Sequence, residues 1–163
     1  MTIEDTESSV IRKSVILVAA VAIAGLAAEL VIERHWGTPI CFIPWLALAA
    51  LAWAVLRLWR GPTPRQLRAA RAIAVVAIVA AGLGIALHIN ENYGAGPLDQ
   101  VYSLVWDNLS EPQRWWAAFS KSLGPAPTFA PAALALIGLL VLVATQRHPI
   151  MHADVRLPSE RRA

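Results

Sequence analysis

The chain has 163 residues, a one-domain length, with 57% hydrophobic and only 15% charged residues, against about 25% charged in an ordinary globular chain. The apolar residues lie in four long blocks, which excludes a disordered chain, a coiled coil, a disulfide scaffold and a secreted enzyme and leaves a small polytopic membrane protein. The net charge of +3 does not signal nucleic acid, because the basic residues cluster at the ends of the apolar blocks, where they set topology.

Residues 1–13 are expected to form a cytoplasmic N-terminal segment, and a four-span membrane domain over 14–146 follows. The first span covers about 14–33 and is opened by Arg12-Lys13. It is too long for the apolar part of a signal peptide and an acidic stretch precedes its basic pair, so it reads as an uncleaved span. The second covers about 39–58, with Thr38 as N-cap and Pro39 in the first turn. Cys41, the lone cysteine, reads as a small apolar residue with no partner for a disulfide or a zinc pair. The third span covers about 69–89. The fourth covers about 128–145 and is closed by Gln146-Arg147-His148-Pro149, and 147–163 is a cytoplasmic basic tail. Pro44 and Pro131 lie where they kink or start spans two and four. Backbone groups in lipid must be satisfied within their own segment, so the fold class is all-α, a four-helix transmembrane bundle.

Orientation follows from the flanks. One side carries Arg12, Lys13, Arg57, Arg60, Arg65, Arg68, Arg71, Arg147, Arg156, Arg161 and Arg162, and the other only Arg34, Arg114 and Lys121. The basic side faces the cytoplasm, so both termini are inside. The Ala- and Arg-rich usage points to a high-GC bacterial genome, and with the charge asymmetry the expected location is the bacterial inner membrane. The Arg57–Arg71 loop with Trp59 reads as a basic belt for anionic headgroups.

The long connection between spans three and four is expected outside, with an amphipathic region over 97–123. Gly94-Ala95-Gly96-Pro97 marks a turn, 97–109 reads as a short amphipathic helix, and Ser110-Glu111-Pro112 starts a second. Tyr102, Trp106, Trp115 and Trp116 read as an interfacial belt, with both helices flat on the leaflet. A lid over a site between the spans is the functional alternative.

Ionisable residues at membrane depth mark candidate sites. Glu29 and Glu33 share a face of the first span, and His88 and Glu91 share a face of the third. Measured from Lys13 and Arg71, Glu29 and His88 both lie roughly 24–26 Å along their helices, and Glu33 and Glu91 roughly 30 Å. Below these pairs the faces are mostly small: Gly25 (or Leu26), Ala22 and Val18 or Ala19 on the first, and Gly84, Ala81, Ala77, Ala74 and Ala70 on the third. Small residues permit close helix approach, so spans one and three are expected to touch, with the acidic and imidazole groups together at the outer mouth.

Several readings follow. Glu29, Glu33, His88 and Glu91, with His35 as a further ligand, form a candidate shell for Zn, Mn or Fe, with Asp99 or Asp107 reachable from the connection. The same cluster suits a small polar ligand. A proton-coupled small-solute carrier acting as a dimer would use Glu29. The structural alternative pairs His88 with Glu29 and leaves Glu33 and Glu91 to water or Arg34, fixing register in an accessory subunit or assembly factor. His35 and His88 as axial haem ligands are a remoter option. The expected partners are the lipid bilayer and a homodimer or larger membrane complex, with no nucleic acid and no assigned catalytic residue. The layout of four spans with a short first and a long second outer loop resembles the bacterial inner-membrane disulfide-forming enzymes. That resemblance implies cysteine pairs in both outer loops, which a chain with only Cys41 does not have.

Overall fold

The computed structural model describes residues 3–120, 123, 127–146, 148 and 150. Among these the chain is all helical. Five α-helices succeed one another: α1 (Ile3–Ile32), α2 (Ile43–Arg60), α3 (Pro64–Ala95), α4 (Glu111–Ser120) and α5 (Ala132–Ala144). The segments Glu7–Ile32, Pro39–Arg60 and Pro64–Leu98 are each long and apolar enough to cross a membrane. Three such helices are what a membrane-embedded protein requires.

Sequence chemistry sets the helix ends. α1 stops at Arg34, a non-glycine residue with φ 49°. Its amide donates to the Val31 carbonyl at 3.0 Å, and the His35 amide donates to the Leu30 carbonyl at 2.9 Å. This left-handed reversal satisfies carbonyls that the helix end leaves open. Pro39–Phe42 form one 3-10 turn, and Pro44 lies in the first turn of α2, so this proline starts a helix and does not kink one. α3 begins at Pro64, five residues ahead of the expected 69. Its N-cap Thr63 accepts from the Gln66 amide at 3.3 Å, and Gln66 Oε1 accepts from the Thr63 amide at 2.9 Å, a reciprocal capping box.

The expected fourth span is shorter than its apolar block. Over 127–134 the bonds run between residues three apart, including Ala130 N to Pro127 O and Leu134 N to Pro131 O. Pro131, which has no N–H, is the N-cap of α5. The helix has 13 residues, roughly 20 Å of rise, against about 30 Å of hydrocarbon.

The long helices and α5 pack as a diamond. α5 lies against α1, α2 and α3, while α2 lies against α1 and α3. α1 and α3 sit on the long diagonal. The expectation that they pack on each other is therefore corrected: α5 occupies the place assigned to α1. The small-residue face of α3 is real, since Ala70, Ala74, Ala77 and Ala81 are buried, but it receives α5. A Cβ on Gly138 of α5 would stand 2.9 Å from the Ala74 carbonyl oxygen and 2.9 Å from Ile78 Cγ1. One on Gly84 would stand 3.0 Å from Pro131 Cβ. The buried face of α1 runs through Ile16, Ala19, Leu26 and Leu30, whereas Val18, Gly25, Glu29 and Glu33 are exposed. Of the expected face, Ala19 and the alternative Leu26 are buried and Ala22 is half-buried, but the outer turns are buried through Leu26 and Leu30, one residue or about 100° from Gly25 and Glu29.

The diamond has two chemically distinct ends. At the arginine-rich end, Arg71 donates from Nε to Thr145 Oγ1 (3.1 Å) and from Nη2 to the Thr145 carbonyl (2.7 Å). A cation thus closes the carboxyl end of α5, where it is favoured. Arg57 lies 5.8 Å from the centroid of the Trp53 ring. Burial, and after it the charges of Arg12 and Arg71, push the His148 imidazole below its usual range. The other end is rich in tryptophan.

Candidate functional site

The tryptophan-rich end is built on the last turns of α3. The segment expected as an amphipathic helix over 97–109 is instead three 3-10 turns, Gly96–Leu98, Tyr102–Leu104 and Trp106–Asn108. The reason is local. Pro97 brings no amide donor, and Asp99 Oδ1 accepts from the Val101 and Tyr102 amides, both at 2.9 Å. That side-chain turn competes with continued helix. The second expected helix is present as α4. Its start is fixed by Gln113 Oε1, which accepts from the Ser110 amide and hydroxyl at 2.8 Å each.

This region folds back on α3. Trp106 is 4% exposed, and its six-membered ring lies where a Cβ on Gly96 would be. Only glycine at 96 admits that ring. Tyr93 meets Trp106 edge-on at 5.5 Å between centroids and stacks on Trp115 at 4.3 Å. The Tyr93 hydroxyl donates to Glu111 Oε1 at 2.8 Å. Arg114 donates from Nε to the Trp106 carbonyl at 3.0 Å and lies over the Trp106 ring. Trp106 is therefore the core of a small cap, not a member of an interfacial belt. Trp115 and Trp116 are exposed, at 42% and 65%, as a belt requires.

Beneath the cap lies a buried polar junction. Asn92, fully buried on α3, donates from Nδ2 to Thr128 Oγ1 at 3.2 Å and to the Ala118 carbonyl at 3.4 Å. The Thr128 hydroxyl in turn donates to the Ala118 carbonyl at 3.4 Å. Asn92 Oδ1 is buried without a hydrogen-bond partner. One helical turn earlier, His88 Nδ1 lies 2.7 Å from the Pro127 carbonyl oxygen. A carbonyl only accepts, so Nδ1 is the donor of this bond. α3, α4 and the lead into α5 are thus tied at one point.

The sequence-predicted residues end up apart. His88 is half-buried on α3, and Glu91 beside it is exposed. Glu29 and Glu33 are exposed on α1, across the diamond with α5 between. His35 is half-buried in the turn after α1, where its carbonyl accepts from Trp45 Nε1 at 2.8 Å. Among the described residues no three His, Cys, Asp or Glu side chains come together to hold a metal ion. The expected Zn, Mn or Fe shell is not assembled, because its two halves sit on non-adjacent helices. Asn92 is a buried polar residue that the pattern of ionisable side chains passes over. Its signal was available: it lies four residues beyond His88 on the same small-residue face, so the buried stripe continues through Asn92 and not through Glu91. Compared with known protein families, curated proteins and solved structures, the chain matches none.

Proposed function

We propose that the protein is a non-catalytic accessory subunit or assembly factor of a membrane complex, embedded in a bacterial cytoplasmic membrane with both termini in the cytoplasm. The observation that carries this reading is the outward face of α1. Among the described residues that helix packs chiefly on α2 and α5, and Val18, Val21, Gly25, Ala28 and Ile32 are exposed on its other side. A Cβ on Gly25 would have open space around it. A face with small residues at its centre admits close approach of a further transmembrane helix. His88, Tyr93 and the Asn92 amide nitrogen at the α3 end support the same reading, because they bond within the chain and stiffen the cap. The inward orientation rests on the excess of Lys and Arg at the arginine-rich end. A proton carrier finds less support: below His88 the face of α3 is Gly84, Ala81, Ala77, Ala74 and Ala70, which relays no proton.

The test is purification of the tagged protein from its native membrane in a mild detergent. A complex of fixed composition is expected, with a second copy or a different chain bound. Gly25→Leu is expected to release the partner while the unfolding profile stays that of the wild type. A wild-type protein that runs as a lone monomer, or a partner retained in the variant, contradicts the reading. Cytoplasmic-side reporters fused after Gly61 are expected to be active, and the same fusions after Gln100 inactive.

A further inference from the structure

A groove of about 470 Å³ runs between α1 and α2, lined by Ile16, Leu17, Ala20, Ala52, Leu56 and Trp59 among others. It exists because Ala20 and Ala52 leave a gap that larger side chains would fill. Its walls are apolar and open to the side, with Leu17, Leu56 and Trp59 each at least 42% exposed. Helical register fixes what stands at its arginine-rich mouth. Lys13 precedes Ile16 and Leu17 by three and four residues and so lies on the groove side of α1, and Arg60 follows Leu56 by four and so lies at the Leu56 edge of the groove on α2, each one turn beyond those residues. Both are exposed. The ion pair found among the described residues, Arg114 with Glu111, is at the opposite end. Trp59, next to Arg60, lines the mouth, and tryptophan rings favour the headgroup boundary.

We propose that this groove binds one anionic phospholipid, an acyl chain lying between α1 and α2 and the phosphate held by Lys13 and Arg60. Apolar length and charge change over at the same level on both helices, which is the pattern of a lipid and not of a further apolar helix. A cation near a membrane surface strengthens binding of an anionic lipid about fivefold, and two about thirtyfold.

The experiment is native mass spectrometry of the detergent-solubilised full-length protein titrated with phosphatidylglycerol or phosphatidylcholine. Wild type is expected to prefer phosphatidylglycerol by at least about tenfold. Lys13→Gln with Arg60→Gln is expected to bring that lipid to the level of phosphatidylcholine. Ala52→Phe, which fills the groove, is expected to weaken both lipids alike. Arg65→Gln with Arg68→Gln, away from the groove, is expected to change neither. Glycerol phosphate, which lacks chains, is expected not to displace the bound lipid. No preference in wild type, an equal loss in the Arg65/Arg68 variant, or displacement by glycerol phosphate overturns the proposal. These readings need no partner protein, so they stand or fall apart from the accessory-subunit reading.

Discussion

Adding one methyl group at Gly138 tests the packing of α5 on α3. In Gly138→Ala two effects oppose. Alanine is better than glycine in a helix by about 1 kcal/mol. Against this, the new Cβ would lie 2.9 Å from the Ala74 carbonyl oxygen and 2.9 Å from Ile78 Cγ1. Ile78 is able to change rotamer, but the carbonyl belongs to the backbone of α3 and moves only with the helix. Overpacking of that kind costs about 1–3 kcal/mol, so the net expectation is destabilisation by about 1 kcal/mol, up to about 2. Gly25→Ala on the open face of α1 meets nothing within 4 Å and keeps only the favourable propensity term, up to about 1 kcal/mol. Equilibrium unfolding in mixed detergent micelles, followed by near-ultraviolet circular dichroism, measures both. A Gly138→Ala protein at least as stable as Gly25→Ala would refute direct contact between the two backbones.

Three further outcomes follow from the two ends of the diamond. Asn92→Ala removes two long hydrogen bonds and one orphaned acceptor and is expected to cost about 1–2 kcal/mol; Asn92→Asp, which sets a carboxylate against the Ala118 carbonyl, is expected to cost more in the same unfolding assay. Gly96→Ala is expected to expel Trp106 from beneath the cap, seen as red-shifted tryptophan emission and faster hydrogen exchange over 96–118 with the rest of α3 still protected. Because the His148 imidazole is held below its usual range by burial and then by Arg12 and Arg71, the unfolded chain binds the extra proton more readily. Its contribution to stability is therefore complete above the usual imidazole pKa of about 6.5 and is lost as pH falls below it. Unfolding midpoints are expected to drop between about pH 7.5 and about pH 5, with a smaller drop in His148→Gln.

Most of the helical content was legible because long apolar runs admit one backbone solution in lipid. The Ser110 start of α4 and the Pro44 start of α2 were also legible, being governed by neighbours in sequence. Which helix faces which was not. Ala70, Ala74, Ala77 and Ala81 identify a close-packing stripe, yet α1 and α5 both carry small residues. The choice between them depends on Gly138 lying opposite Ala74, a tertiary fact. Counting from Lys13 and Arg71 placed Glu29 and His88 at similar distances along their helices. Height says nothing of azimuth, and one residue of rotation turned Glu29 outward. The residues 97–109 misled for another reason: their apolar spacing suits a helix, but Asp99 captures two amides and Pro97 supplies none.

The account stands on α5 being wedged between α1 and α3. Paired cysteines in a Cys41→Ser background measure this most directly, by oxidative cross-linking in native membranes. Gly84→Cys with Pro131→Cys, whose Cβ atoms would start 3.0 Å apart and need to separate by under about 1 Å to reach disulfide geometry, is expected to cross-link readily. Glu29→Cys with His88→Cys is expected not to. Efficient cross-linking of the second pair with none in the first would place α1 against α3, and would bring the Glu and His groups back into one site.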